Sequence, residues 1–157
     1  MELTDYLIPR MGRATRDRLA ATVWGDNDML PELLTLIQSG SKIQRMKGAW
    51  VLSGIHAIDS EFLNSHQPFL LQQLRCETIG GVKRELLRCF EGIVLRDEIS
   101  EQIISITMAW VTDDKQDLAV RYLCYRLLVP LLRPYPELQQ ELKDKTELYR
   151  SKFGRFP

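Results

Sequence analysis

No part of this sequence suits a bilayer, a disulfide framework or a cysteine-bound metal. Its apolar runs stop well short of the roughly 18 to 20 uncharged residues that a membrane span requires. Cys76, Cys89 and Cys124 are odd in number, lie 13 and 35 residues apart and form no Cys-x-x-Cys pair. That usage excludes a stapled secreted scaffold and a cysteine zinc site, and inside apolar helical runs Cys89 and Cys124 are expected to act as small core hydrophobes. A surplus of one charge is missing too: Lys plus Arg and Asp plus Glu each total 21. No whole-molecule field draws such a chain to a polyanion or an anionic membrane, although a local patch fits the same balance. Period-two alternation is absent and the β-branched residues sit in helix-period runs, which argues against strands. Met1 to Arg18 is polar and charged with no apolar signal-peptide centre, so a cytoplasmic protein is expected.

What the sequence does have is one helical register used three times. Arg45, Lys83 and Arg121 stand 38 residues apart, and each opens a mostly apolar run. In that register Ala49 aligns with Leu87 and Tyr125, Leu52 with Phe90 and Leu128, and Ile55 with Ile93 and Leu131. Offsets of three and four residues mark one face of a helix. Arg16, Ala20, Val23 and Gly25 extend the pattern at an offset of 29, a weaker match. A period of this length with two helices per unit describes stacked helix pairs, each burying its apolar face against its neighbours.

Start and stop signals divide the chain accordingly. Thr15 to Trp24 is expected as the first helix, closed by Gly25; Asp28 caps a second that ends at Gly40. Ser41 caps a long third helix to Ile58, and Leu63 to Leu74 is its partner. Gly80 and Gly81 break the chain before Val82 to Leu95 and Ser100 to Val111. Asp113 or Asp114 caps a seventh helix that Pro130 and Pro134 kink and end, and Pro136 starts an eighth running to Tyr149. The expected fold is all-α, a right-handed superhelix of about four helix pairs. One domain is expected over residues 1–150, followed by a flexible tail at 151–157 whose alternating cations and aromatics suit base stacking or groove docking but are more often frayed.

The arginine-led, alanine-rich first helices with a cap aspartate resemble HEAT-like and armadillo-type repeats from Thr15 to Tyr149. Arg45-Met-Lys-Gly-Ala-Trp-Val-Leu52 and Trp110-Val-Thr-Asp-Asp-Lys-Gln-Asp-Leu-Ala119 also resemble a narrower group of short bacterial HEAT-like proteins. Some of that group carry the name adenylosuccinate lyase. The serine-rich catalytic loop of true adenylosuccinate lyases, which leads into Met-Pro and a lysine, has no counterpart here, and those enzymes are far longer. The resemblance therefore implies a fold and no established activity. Where the group continues with an acidic residue after Trp-Val-Leu, this chain has Ser53 and Gly54.

Each candidate for chemistry has a structural alternative. Stacked in register, Arg16, Arg45, Lys83 and Arg121 would form a cation ladder able to hold an acidic peptide or a phosphate backbone. Pairing of each cation with carbonyls or an aspartate of an adjacent repeat, such as Asp59 or Asp97, is the favoured reading. Gly80-Gly81-Val82-Lys83-Arg84 places glycines and cations at a helix start, where amides attract anions, but it lacks the further residues of a nucleotide loop. Asp113 and Asp114 are first of all cap residues, with no nucleophile or histidine beside them. His56 and His66 supply two ligands at most, too few for a metal site. Of Trp24, Trp50 and Trp110, all expected to pack, Trp110 is the best placed for recognition.

No catalytic, metal or cofactor constellation emerges. The expected function is a non-enzymatic protein-interaction or scaffold module whose contacts include Arg45, Lys83, Trp110 and Arg121. The alternative is a nucleic-acid-binding protein distantly similar to HEAT-like DNA glycosylases, which the zero net charge and short chain disfavour.

Overall fold

Ser41 starts the helix around which the first half of the molecule is organised. Its hydroxyl accepts the Gln44 amide at 3.2 Å, while the Gln44 side chain accepts the Ser41 amide at 2.9 Å. This capping box satisfies donors that a helix start otherwise leaves open. The computed structural model describes residues 2–153, and every regular element among them is helical. They are α1 (Arg13–Gly25), α2 (Leu30–Ser39), α3 (Lys42–Ile58), α4 (Gln67–Cys76), α5 (Gly80–Arg88), α6 (Asp97–Trp110), α7 (Leu118–Leu131) and α8 (Pro136–Phe153). None of these is long and apolar enough to cross a membrane. The chain divides into two compact units, Met1–Ile93 and Val94–Pro157.

In the first unit α3 packs against α1, α2 and α5, and α4 packs against α5. Leu19, Ala20 and Val23 of α1, Ala49, Leu52 and Ile55 of α3, and Leu86 and Leu87 of α5 are buried. The segment before α1 belongs to this core: Leu3, Leu7 and Met11, spaced four apart, are buried, with a 3-10 turn at Leu3–Asp5. Composition marked this stretch only as polar, because three apolar residues among charged neighbours barely register in an average.

In the second unit α6 packs against α7. Lys145 of α8 donates to the Met108 carbonyl at 3.4 Å, and the Arg121 guanidinium lies 4.8 Å over the ring of Tyr149, tying α8 to α6 and α7. Pro130 lies inside α7, which ends one residue later at Leu131.

The 38-residue register holds at its centre. Leu52, Phe90 and Leu128 are 0%, 1% and 0% exposed. It loosens at its edges, where Tyr125, Ile93 and Leu131 are only half-buried. Several boundaries differ from expectation. Gly80 and Gly81 do not interrupt the chain but form the first turn of α5, which stops at Arg88 rather than Leu95. There Phe90 donates to Leu87 O and Glu91 to Arg88 O, both at 3.1 Å, and Gly92 takes a left-handed φ of 71° that a side chain would resist. Sinking Phe90 into the core outweighs continuing the helix. α6 accordingly starts at Asp97, not Ser100. Asp117, not Asp113 or Asp114, precedes α7, and Asp26 rather than Asp28 carries the cap before α2, accepting the Asp28 amide at 3.1 Å. α8 runs to Phe153, four residues past Tyr149, and residues 154–157 of the expected tail lie outside the described residues.

Candidate functional site

Two polar clusters flank α3, and their chemistry differs. The first centres on Glu77, a buried carboxylate in the loop before α5. Its Oε1 accepts from the Arg45 guanidinium and, at 3.2 Å, from Gln73 Nε2. Its Oε2 accepts the Thr78 and Ile79 amides at 3.1 and 3.0 Å. Arg45 Nε also donates to the Ile37 carbonyl at 2.9 Å. Both carboxylate oxygens are occupied, so the cluster fastens α2, α3 and the α4–α5 loop together and offers no vacancy to a ligand. The ladder position Arg45 is thus tied to an adjacent pair through a carbonyl, as pairing between repeats required. The acid is Glu77, whereas Asp59 instead accepts from Trp24 Nε1 at 3.2 Å and Asp97 is exposed in the first turn of α6.

The second cluster is a face built by α1, α3 and α5 around Trp50, which is half-buried. The Arg16 guanidinium lies 5.3 Å and the Lys47 ammonium 5.0 Å from the indole centroid, within cation–π range. Gly54 makes room for this: a Cβ there would lie 2.8 Å from Arg16 Cδ and 3.1 Å from Ala20 Cβ. Arg16 Nε also meets Asp17 Oδ1 at 2.9 Å. Ser53 Oγ lies 2.6 Å from Glu85 Oε2, and Arg88 Nη1 donates to Glu85 Oε1 at 2.7 Å. Ser53 and Gly54, where the chain departs from the acidic pattern it resembles, are therefore working parts of this face. Ser53 donates to a buried carboxylate that an acid in its place would repel, and Gly54 lets Arg16 lie flat. Between α3 and α5 the same face opens into a cleft of about 220 Å³ lined by Met46, Lys47, Trp50, Gly81, Arg84 and Glu85. Lys47 and Arg84 form no ion pair among the described residues.

Lys83 is buried within α5. Trp110 is half-buried at the C-terminal end of α6. Arg121 stacks on buried Tyr149, and its Nε and Nη1 make no hydrogen bond. Arg45 and Lys83 belong to the first unit, and Trp110 and Arg121 to the second. Asp113 organises the turn after α6, accepting the Lys115 amide at 3.0 Å and Gln116 Nε2 at 3.3 Å. His56 donates from Nε2 to the Glu91 carbonyl at 2.8 Å, while His66 lies 3.1 Å from Ser65 Oγ, so the two histidines serve separate local contacts. Among the described residues no group of three or more His, Cys, Asp or Glu side chains is placed to hold a metal. Burial, and next the negative charge of Glu85, push the Cys89 thiol far above its ordinary range, leaving it a packed thiol rather than a nucleophile.

Sequence reasoning named Arg84 only as part of a glycine-led helix start and Ser53 only as a departure from the resembling group, and it missed Lys47 and Glu85. The signal was available in part: in the 38-residue register Lys47 aligns with Glu85 and Met46 with Arg84, so successive repeats present complementary charges near one seam.

Helices packed in a repeat-like arrangement with a shared buried register place the chain among the all-α repeat proteins. A HEAT repeat domain model matches residues 3–153, and the chain belongs to the HEAT repeat family. The match spans both compact units. No curated protein and no solved structure matches the chain. HEAT repeats generally mediate protein–protein interaction or scaffolding and are typically non-enzymatic.

Proposed function

We propose that this chain is a non-enzymatic interaction module that presents the Trp50 face of α1, α3 and α5 to a protein partner. The observation that carries the reading is a half-buried tryptophan beside two cations, Lys47 and Arg84, that no carboxylate of the described residues neutralises. Half-exposed aromatics and arginines are the side chains that most often anchor a protein interface. Arg45 and Lys83 are weaker contact candidates, because one is committed to buried Glu77 and the other is itself buried. Trp110 and Arg121 stay as candidate contacts of the second unit.

Photo-crosslinking in a native lysate, with the crosslinker installed at Lys47 and at Arg13 as an exposed control, tests the reading. A defined protein joined at Lys47 and lost in Trp50→Ala supports it. Repeated failure of the folded protein to crosslink any protein at either position would remove it. Salt-sensitive binding of duplex DNA with no protein adduct would favour the nucleic-acid alternative.

A further inference from the structure

The cleft between α3 and α5 has a composition that specifies its occupant more closely. Its lining joins the apolar Met46 and the Trp50 ring to two cations, Lys47 from α3 and Arg84 from α5. Glu85 is the one carboxylate in its wall, and that charge is already met by Arg88 Nη1 at 2.7 Å and the Ser53 hydroxyl at 2.6 Å. These two cations therefore have no counter-charge among the described residues. Gly81 lies against this lining: a Cβ there would approach the terminal methyl of Met46 to 3.0 Å. At about 220 Å³ the space suits one or two side chains and is too shallow to enclose a cofactor-sized ligand, for which a few hundred cubic ångströms or more is usual.

We infer that this cleft docks an acidic segment of a partner protein, with an Asp or Glu carboxylate held between Lys47 and Arg84 and a neighbouring apolar side chain laid on Met46 and Trp50. The inference rests on the interaction-module reading and names the chemistry of its partner. A carboxylate between a lysine and an arginine forms charge-assisted hydrogen bonds, and the apolar part of the lining lowers the local dielectric, which strengthens them. The positive charges of Lys47 and Arg16 over the indole disfavour a further cationic side chain in the same place. A nucleic acid is the poorer occupant, because a run of phosphates calls for a run of cations and the cleft lining supplies two, Lys47 and Arg84.

Selection of a random dodecapeptide display library on the intact chain tests this directly. Enriched peptides are expected to pair Asp or Glu with an adjacent Leu, Ile, Met or Phe. The best peptide, synthesised and labelled, should bind about tenfold or more weakly to Lys47→Gln/Arg84→Gln. Selection on Lys47→Glu/Arg84→Glu should enrich Lys and Arg instead. Melting curves of both variants that overlay the parent establish that folding is intact. Peptides with no excess of acidic residues, or equal binding by parent and variants, would overturn the inference. So would duplex DNA that displaces the selected peptide and binds more tightly than it. Because the crosslinking experiment is independent of charge preference, an adduct at Lys47 alongside peptides without acidic residues would leave the module standing and sink only the acidic-segment inference.

Discussion

Arg45 and Lys47 lie two residues apart on α3 and meet opposite fates. Arg45 turns toward α2 and the α4–α5 loop, where Glu77, itself held by Gln73 and two backbone amides, absorbs its charge. Lys47 turns toward α5, lies on Trp50 and ends in the lining of a cleft with its charge unanswered. The same helix thus carries a polar knot on one side and an uncommitted face on the other. Charge type does not separate structure from recognition here; saturation of hydrogen bonds does. A cation whose partner is buried and fully bonded costs stability when removed, and one that meets a partly exposed ring and solvent costs little.

That contrast can be broken or sharpened by substitution, beginning with the core against which both regions are built. Replacing Phe90 with Ala should cost about 3 to 5 kcal/mol, and Leu52→Ala or Leu128→Ala about 2 to 5 kcal/mol, by urea denaturation. Three unchanged midpoints would dissolve the 38-residue register. Next comes the knot: Arg45→Gln should lose about 1.5 to 3 kcal/mol, the worth of a hydrogen bond to a charged group, while Gln73 and the two amides keep Glu77 from being stranded. Lost peptide binding without lost stability in that variant would move Arg45 into the recognition face.

Arg121, the equivalent register position in the second unit, should sit between the two. Its guanidinium stacks on Tyr149 with Nε and Nη1 free of hydrogen bonds, so Arg121→Gln is expected to cost about 0.5 to 2 kcal/mol, the range for a cation–π contact from exposed to desolvated. A loss as large as that of Arg45→Gln would mean that the ladder acts as one structural device. The smallest effect on folding belongs to the face. Lys47→Gln and Arg84→Gln should each leave stability within about 0.5 kcal/mol while weakening the acidic peptide. A thermal shift for either that rivals Arg45→Gln would erase the distinction between the two sides of α3.

How far each feature could be read in advance follows the range of the interaction behind it. The helices were legible because their causes are local: Ser41 with Gln44, the three- and four-residue spacing of α3, Pro136 at the start of α8. The end of α5 was not, since an apolar run through Leu95 looks helical until Phe90 is seen to turn into the core. Pairing for Arg45 was foreseeable from its place in a repeat, but not its partner, because Glu77 is 32 residues away in a loop of no distinctive pattern. Trp50 was noticed as an apolar residue. Its role as the centre of a face depends on Arg16 from α1 and Arg84 from α5, which are distant in the chain and close in the structure.

By itself, then, the sequence determined an all-helical chain of repeated pairs and the shared burial of Leu52, Phe90 and Leu128, since period and apolar spacing are properties of consecutive residues. Only the tertiary structure decided which cations are spent and which remain available. A charge is neutralised by whatever carboxylate, carbonyl or ring packing brings within reach. For Arg45 and Lys47, two residues apart in sequence, packing on opposite sides of one helix brought different neighbours.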